Sequence, residues 1–267
     1  MSVSTVLFIV TVITAVVGVP YSFLQTGLPH MTGYMHSLIA LFAFIAARRV
    51  FGAAEAKPGE PALRYFGYFI AFWGVCGLLM SLLSYFLFPY PVIAGVNLLV
   101  DVVFMVLAAL FLLRAILVVK NPRLAAWVFW LLFGVAVLVV IPNIIYLPKP
   151  SIAPNGITLL GVHPLYGSIP LPILILLHLV GSVFFFVEGA RSDSPFVRSR
   201  SLTLGTATLA MAAGLFAYTL SVVVPRNEYL LSLLFALLVT GGILLLMLGV
   251  LEKERPEEAP AAAPVGA

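Results

Sequence analysis

Three observations predict an all-α fold, a polytopic transmembrane bundle of eight helices. Hydrophobic residues make up 63% of the 267-residue chain and charged residues 9%, and the mean hydropathy is +1.17. A chain of that composition cannot cover itself with polar surface in water. Apolar runs able to cross a ~30 Å hydrocarbon core, which takes about 20 helical residues, recur eight times. Lys and Arg gather at alternate connections, as expected where short basic loops stay in the cytoplasm.

The first span, 3–26, begins at once. It lacks a basic leading region and a small-residue cleavage pattern, so it reads as a retained helix rather than a removable signal. The second, 30–51, closes on Arg48 and Arg49. The third, 64–88, holds the only cysteine, Cys76. One cysteine excludes a disulfide framework and a Cys-ligated metal or iron–sulfur site, and Cys76 reads as a buried, inert thiol. The seam before the fourth span, 91–117, is Phe88-Pro89-Tyr90-Pro91. A single bent helix across it, giving seven spans, is the competing count.

The fifth span, 124–147, carries Pro142 next to Asn143. After it comes the longest connection, 147–172, with five prolines before Leu171. It reads equally as a lid or as an unstructured connector. The sixth span is 171–190 and the seventh 201–224, whose Gly205, Ala207, Ala210, Ala213 and Gly214 form a small-residue packing face. The eighth is 228–251. Residues 1–251 thus form the bundle. The segment 252–267 turns to Glu, Pro and Ala and is expected to be a disordered cytoplasmic tail.

Twelve of the 14 Lys and Arg residues fall on one side of this eight-span topology, leaving only Lys149 and Arg226 opposite. Both termini are therefore expected in the cytoplasm of a cell that holds the protein in its inner, cytoplasmic membrane. A pI near 9.3 reflects this asymmetry. No basic cluster is interleaved with aromatics as a nucleic-acid groove requires, so nucleic acid is not an expected partner. P-loop, Rossmann, HExxH and Gly-x-Ser-x-Gly patterns are missing, and no internal repeat supports an inverted-repeat transporter.

What remains is the polar inventory of the spans. His30, His36, His163 and His178 all fall on the outer side of the expected topology. At ~1.5 Å per residue, His36 and His178 lie at matching depths, roughly 9–10 Å inside their helix ends. Asn97 and Asp101, spaced i, i+4, share a face of span four. Asn143 and Tyr218 add polar groups from two more helices, while Glu188 on the inner side is expected to pair with Arg191. A carboxylate at the depth of Asp101 needs a partner or a proton, and no Lys or Arg lies at its level. The ordinary role of an Asn or Thr in a membrane helix is interhelical hydrogen bonding, worth about 0.6 kcal/mol.

Two imidazoles at one depth on different helices are what axial ligation of a haem requires, so His36 and His178 are the expected ligands of a haem b. Gly33 and Gly181, three residues from each, would admit the macrocycle. The same cluster can instead hold a quinone or quinol head group, with Asn97, Asn143 and Tyr218 as binding groups and Asp101 as the catalytic proton carrier. The expectation is therefore an integral membrane subunit of a respiratory-type redox complex, with partner subunits in the bilayer. A receptor-like sensory bundle with an outward ligand pocket, a transporter and a structural subunit are the alternatives.

Overall fold

The computed structural model describes residues 3–28, 30–153, 156–162, 170–224 and 227–252. The expected tail beyond Glu252, together with His163 and Arg226, lies outside the described residues. Eight helices are long and apolar enough to cross a membrane. They are α1 (Val3–Thr26), α2 (Met31–Ala56), α3 (Pro61–Leu82), α4 (Pro91–Lys120), α5 (Pro122–Ile145), α6 (Pro170–Arg191), α7 (Pro195–Val223) and α8 (Glu228–Leu251). The eight-span count therefore holds and the seven-span count fails. A π-helical turn, Leu83–Leu87, ends the third span, a turn follows, and α4 starts afresh at Pro91.

Local chemistry sets the starts. Proline in the first turn opens α3, α4, α5 and α7, where a missing N–H costs nothing. Asn121 caps α5 by accepting from Leu124 N at 3.0 Å, and Ser194 caps α7 by accepting from Val197 N at 3.4 Å. The helices outrun the apolar stretches. α2 continues past Arg48 and Arg49 to Ala56, and α7 begins at Pro195 rather than 201, because backbone hydrogen bonding continues where long basic side chains reach toward water.

The helices alternate in direction, so the bundle has two ends. One carries the short α2–α3, α4–α5 and α6–α7 connections and is rich in arginine. The other carries His30 and a two-stranded antiparallel hairpin, β1 (Ser151–Ile152) with β2 (Thr158–Leu159), between α5 and α6. Within the bundle α2 packs on α3 and α8, α3 on α4, and α7 on both α6 and α8. Their shared core runs through Ile39, Ile70, Met105, Leu112, Leu174 and Met211. α1 and α5 are peripheral. Only 17% and 12% of their most apolar stretches are buried, so most of their surface is left to lipid.

One expected local pairing is not found, and one cation is held without a carboxylate. Glu188 makes no ion pair with Arg191; among the described residues the ion pair found is Lys57–Glu60 at 3.4 Å. Arg114, within the fourth span, lies near the α4–α5 junction, its guanidinium 4.4 Å from the Tyr65 ring centre and 4.8 Å from that of Phe129. Two aromatic faces hold the charge where a salt bridge would otherwise be needed.

Candidate functional site

His36 lies on the α2 face pressed against α3. A Cβ on Gly77 would stand 2.7 Å from both Ala40 N and His36 O, so only glycine lets the two backbones meet here. The His36 ring gives its Nδ1–H to Thr32 O at 2.8 Å. A carbonyl can only accept, so Nδ1 carries the proton and Nε2 of the neutral ring is left as an acceptor.

That ring borders a cavity of about 20 Å³ built from five helices and the hairpin. Its walls include His36 of α2, Trp73 and Cys76 of α3, Asp101 of α4, Tyr218 of α7, Phe235 of α8 and Leu160 after β2. Phe235 stacks near both polar rings, 6.3 Å from His36 and 5.2 Å from Tyr218. Cys76 Sγ donates to the Asp101 backbone oxygen at 3.6 Å. Asp101 Oδ1 and Trp73 Nε1 are buried without a hydrogen-bond partner among the described residues. Leaving a buried polar atom unmatched costs about 1–3 kcal/mol, and native proteins keep few such atoms.

A second cavity of about 20 Å³ adjoins the first and shares Met105, Leu160 and Tyr218 with it. Its walls add Leu98, Val102, Asn143 and Pro170. Four of the six expected site residues, His36, Asp101, Asn143 and Tyr218, thus line two neighbouring cavities. Asn97 does not. Its side chain donates to Leu79 O at 2.9 Å and ties α4 to α3, the interhelical role weighed against binding.

His178 is also placed elsewhere. Its Nδ1–H is given to Leu174 O at 2.8 Å, and its ring packs on Trp73 and Phe69 at 5.6 and 6.0 Å. His178 borders neither of these two cavities. The space beside His36 holds about one water molecule, not a macrocycle, and Trp73 fills the flank of His178. Gly33 and Gly181 admit protein side chains instead. Their Cβ positions would meet Tyr85 at 2.6 Å and Leu112 at 2.7 Å. Among the described residues no group of three or more His, Cys, Asp and Glu could hold a metal ion.

Sequence reasoning missed Trp73 and treated Cys76 as inert filler. Their i, i+3 spacing with Gly77 and Met80 puts one α3 stripe on the cavity, a signal hidden by its apolar character. The hairpin was equally hidden. Thr158 N donates to Thr32 Oγ1 at 2.9 Å and Thr158 Oγ1 pairs with Ser84 Oγ at 2.8 Å, clamping Leu160 over both cavities. His30, at the head of the second span, is buried and bridges Thr26 Oγ1 at 3.1 Å and Ser84 O.

The fold and cavity define a multi-pass membrane helix bundle with a small buried cavity bordered by His36, Asp101 and Tyr218. No family model, curated protein or solved structure matches the chain.

Proposed function

We propose that the protein is the membrane subunit of a redox complex and binds the head group of a quinol or quinone at the His36–Asp101–Tyr218 cavity. One observation carries the reading. Asp101 Oδ1 and Trp73 Nε1–H, an acceptor and a donor without protein partners, belong to walls of the same cavity. The Trp73 N–H and the Tyr218 hydroxyl suit quinone carbonyls. His36 Nε2 and Asp101 suit the hydroxyls of a quinol and accept its protons on oxidation. In this reading a partner subunit takes the electrons.

Each cavity holds about one water, so a head group requires Met105, Leu160 and Tyr218, which line both, to repack, and methionine is the readiest of these. Beside them, α4 and α5 form a wholly apolar groove of about 240 Å³. Val103 and Ile144 line it next to Val102 and Asn143 of the second cavity, so it suits an isoprenoid tail.

Trp73 makes a direct reporter. Replacing the exposed Trp127 and Trp130 by Phe leaves it as the only tryptophan. Tetramethyl-benzoquinone should quench its emission saturably, and Asp101→Leu should remove the saturation. Quenching that rises linearly in both proteins would sink the reading and leave one ordered water as the occupant. A reduced-minus-oxidised spectrum of protein purified with haem available should be flat, and a b-type band would return the weight to haem.

A further inference from the structure

A cleft of about 780 Å³ opens between α1, α2 and α3 toward the arginine-rich end and shares no lining residue with the quinol cavity. Its floor is aromatic and apolar, from Phe44, Phe51, Phe72 and Val75, and its rim carries Arg48 and Glu55. Both charges are exposed and are not ion-paired with each other, since the ion pair among the described residues is Lys57–Glu60. They stand seven residues apart on α2, about 10 Å along its axis and on one face. Glu55 is one residue from the end of α2 at Ala56, and Arg48 is two turns deeper. Gly52 lies between them, and a Cβ added there would meet nothing within 4 Å.

We infer that this cleft is a binding site for a zwitterionic phospholipid of the ethanolamine type. The order of charges along α2 matches that head group. Phosphate lies deeper in a bilayer and pairs with the guanidinium of Arg48, which offers a planar fork of donors. The ammonium lies further out and pairs with Glu55. The acyl chains run along the phenylalanines, and α1, with little of its own surface buried, forms the movable wall. A purely anionic lipid satisfies Arg48 but faces repulsion from Glu55. A choline lipid carries no N–H to give to the carboxylate.

The test is native mass spectrometry of the full chain in detergent, titrated separately with phosphatidylethanolamine, phosphatidylglycerol and phosphatidylcholine. The ethanolamine lipid should half-saturate at about tenfold lower concentration than either of the others. Glu55→Gln should erase that preference, and Arg48→Gln should weaken all three. A Cβ at Gly52 meets open space, so Gly52→Phe should put its ring in the cleft and abolish binding while leaving the thermal melt unchanged. Equal binding of the three lipids, a preference for phosphatidylglycerol, or a preference that survives E55Q overturns the assignment. So does a mass showing that a second copy of the chain competes with lipid for the cleft.

Discussion

Asp101 and His36 touch the proposed head-group cavity and His178 does not, although the sequence places the two histidines at matching depths. The replacements His36→Ala and His178→Ala therefore part company. Removing His36 deletes a hydrogen-bond acceptor worth about 0.5–1.5 kcal/mol net. The quinone concentration for half-quenching of Trp73 should rise up to about tenfold. Removing His178 leaves that concentration unchanged and lowers the melting temperature, because a fully buried ring that fills space against Phe69 and Trp73 is lost. Equal effects of the two replacements on quenching would count against the placement of the site. Depth along a helix could be read from residue numbers, and this is why the histidines looked alike. Rotation about the helix axis could not, because α2 and α6 are apolar nearly all round and show no single face. Asn97 and Asp101 failed to act together for a related reason. An i, i+4 pair shares a face only broadly, and the Asn97 amide has an N–H to give to Leu79 O, while Asp101, one turn further along, borders the cavity.

Element by element, the spans were legible because hydrocarbon forces every backbone group to be satisfied within its own segment, so an apolar run of sufficient length is a helix. The π turn at Leu83–Leu87 and the hairpin after α5 carry no comparable signal. Both depend on side chains far away in sequence, such as Thr158 with Thr32 and Ser84. The contact between α2 and α3 was equally illegible, since Gly77 is one of 21 glycines and only the packed backbone separates it from the rest. Gly77→Val should lower stability by about 1–3 kcal/mol through overpacking, because α3 would be pushed from Ala40 and His36 O. Gly134 of α5 has nothing within 4 Å of an added Cβ. Gly134→Ala should instead stabilise α5 by up to about 1 kcal/mol of helix propensity. Thermal melts of the two variants in the same detergent compare a glycine used for close approach with one that is not.

For the whole molecule, the two ends differ in how they hold charge, and this sets the expected orientation. At the arginine-rich end the connections 57–60, 121 and 192–194 are short, which is the condition under which basic residues determine topology. Arg114, caged by Tyr65 and Phe129, adds to the same end without needing a carboxylate. The opposite end replaces charge by buried polar bonds, from His30 to Ser84 and from Thr158 to Thr32. With only Lys149 and Arg226 assigned to it, it takes far fewer cations across the bilayer than the arginine-rich end would. The arginine-rich end, with both termini, should face the cytoplasm and the hairpin the outside. On a Cys76→Ser background, Leu28→Cys should react with a membrane-impermeant thiol reagent added to intact cells. Ser192→Cys should react only after the cells are permeabilised. The reverse pattern would invert the bundle and turn the quinol cavity, nearer the hairpin end, toward the cytoplasmic side. A mixed pattern, with both cysteines reactive in intact cells, would mean that charge asymmetry of this size does not fix the topology of an eight-helix bundle.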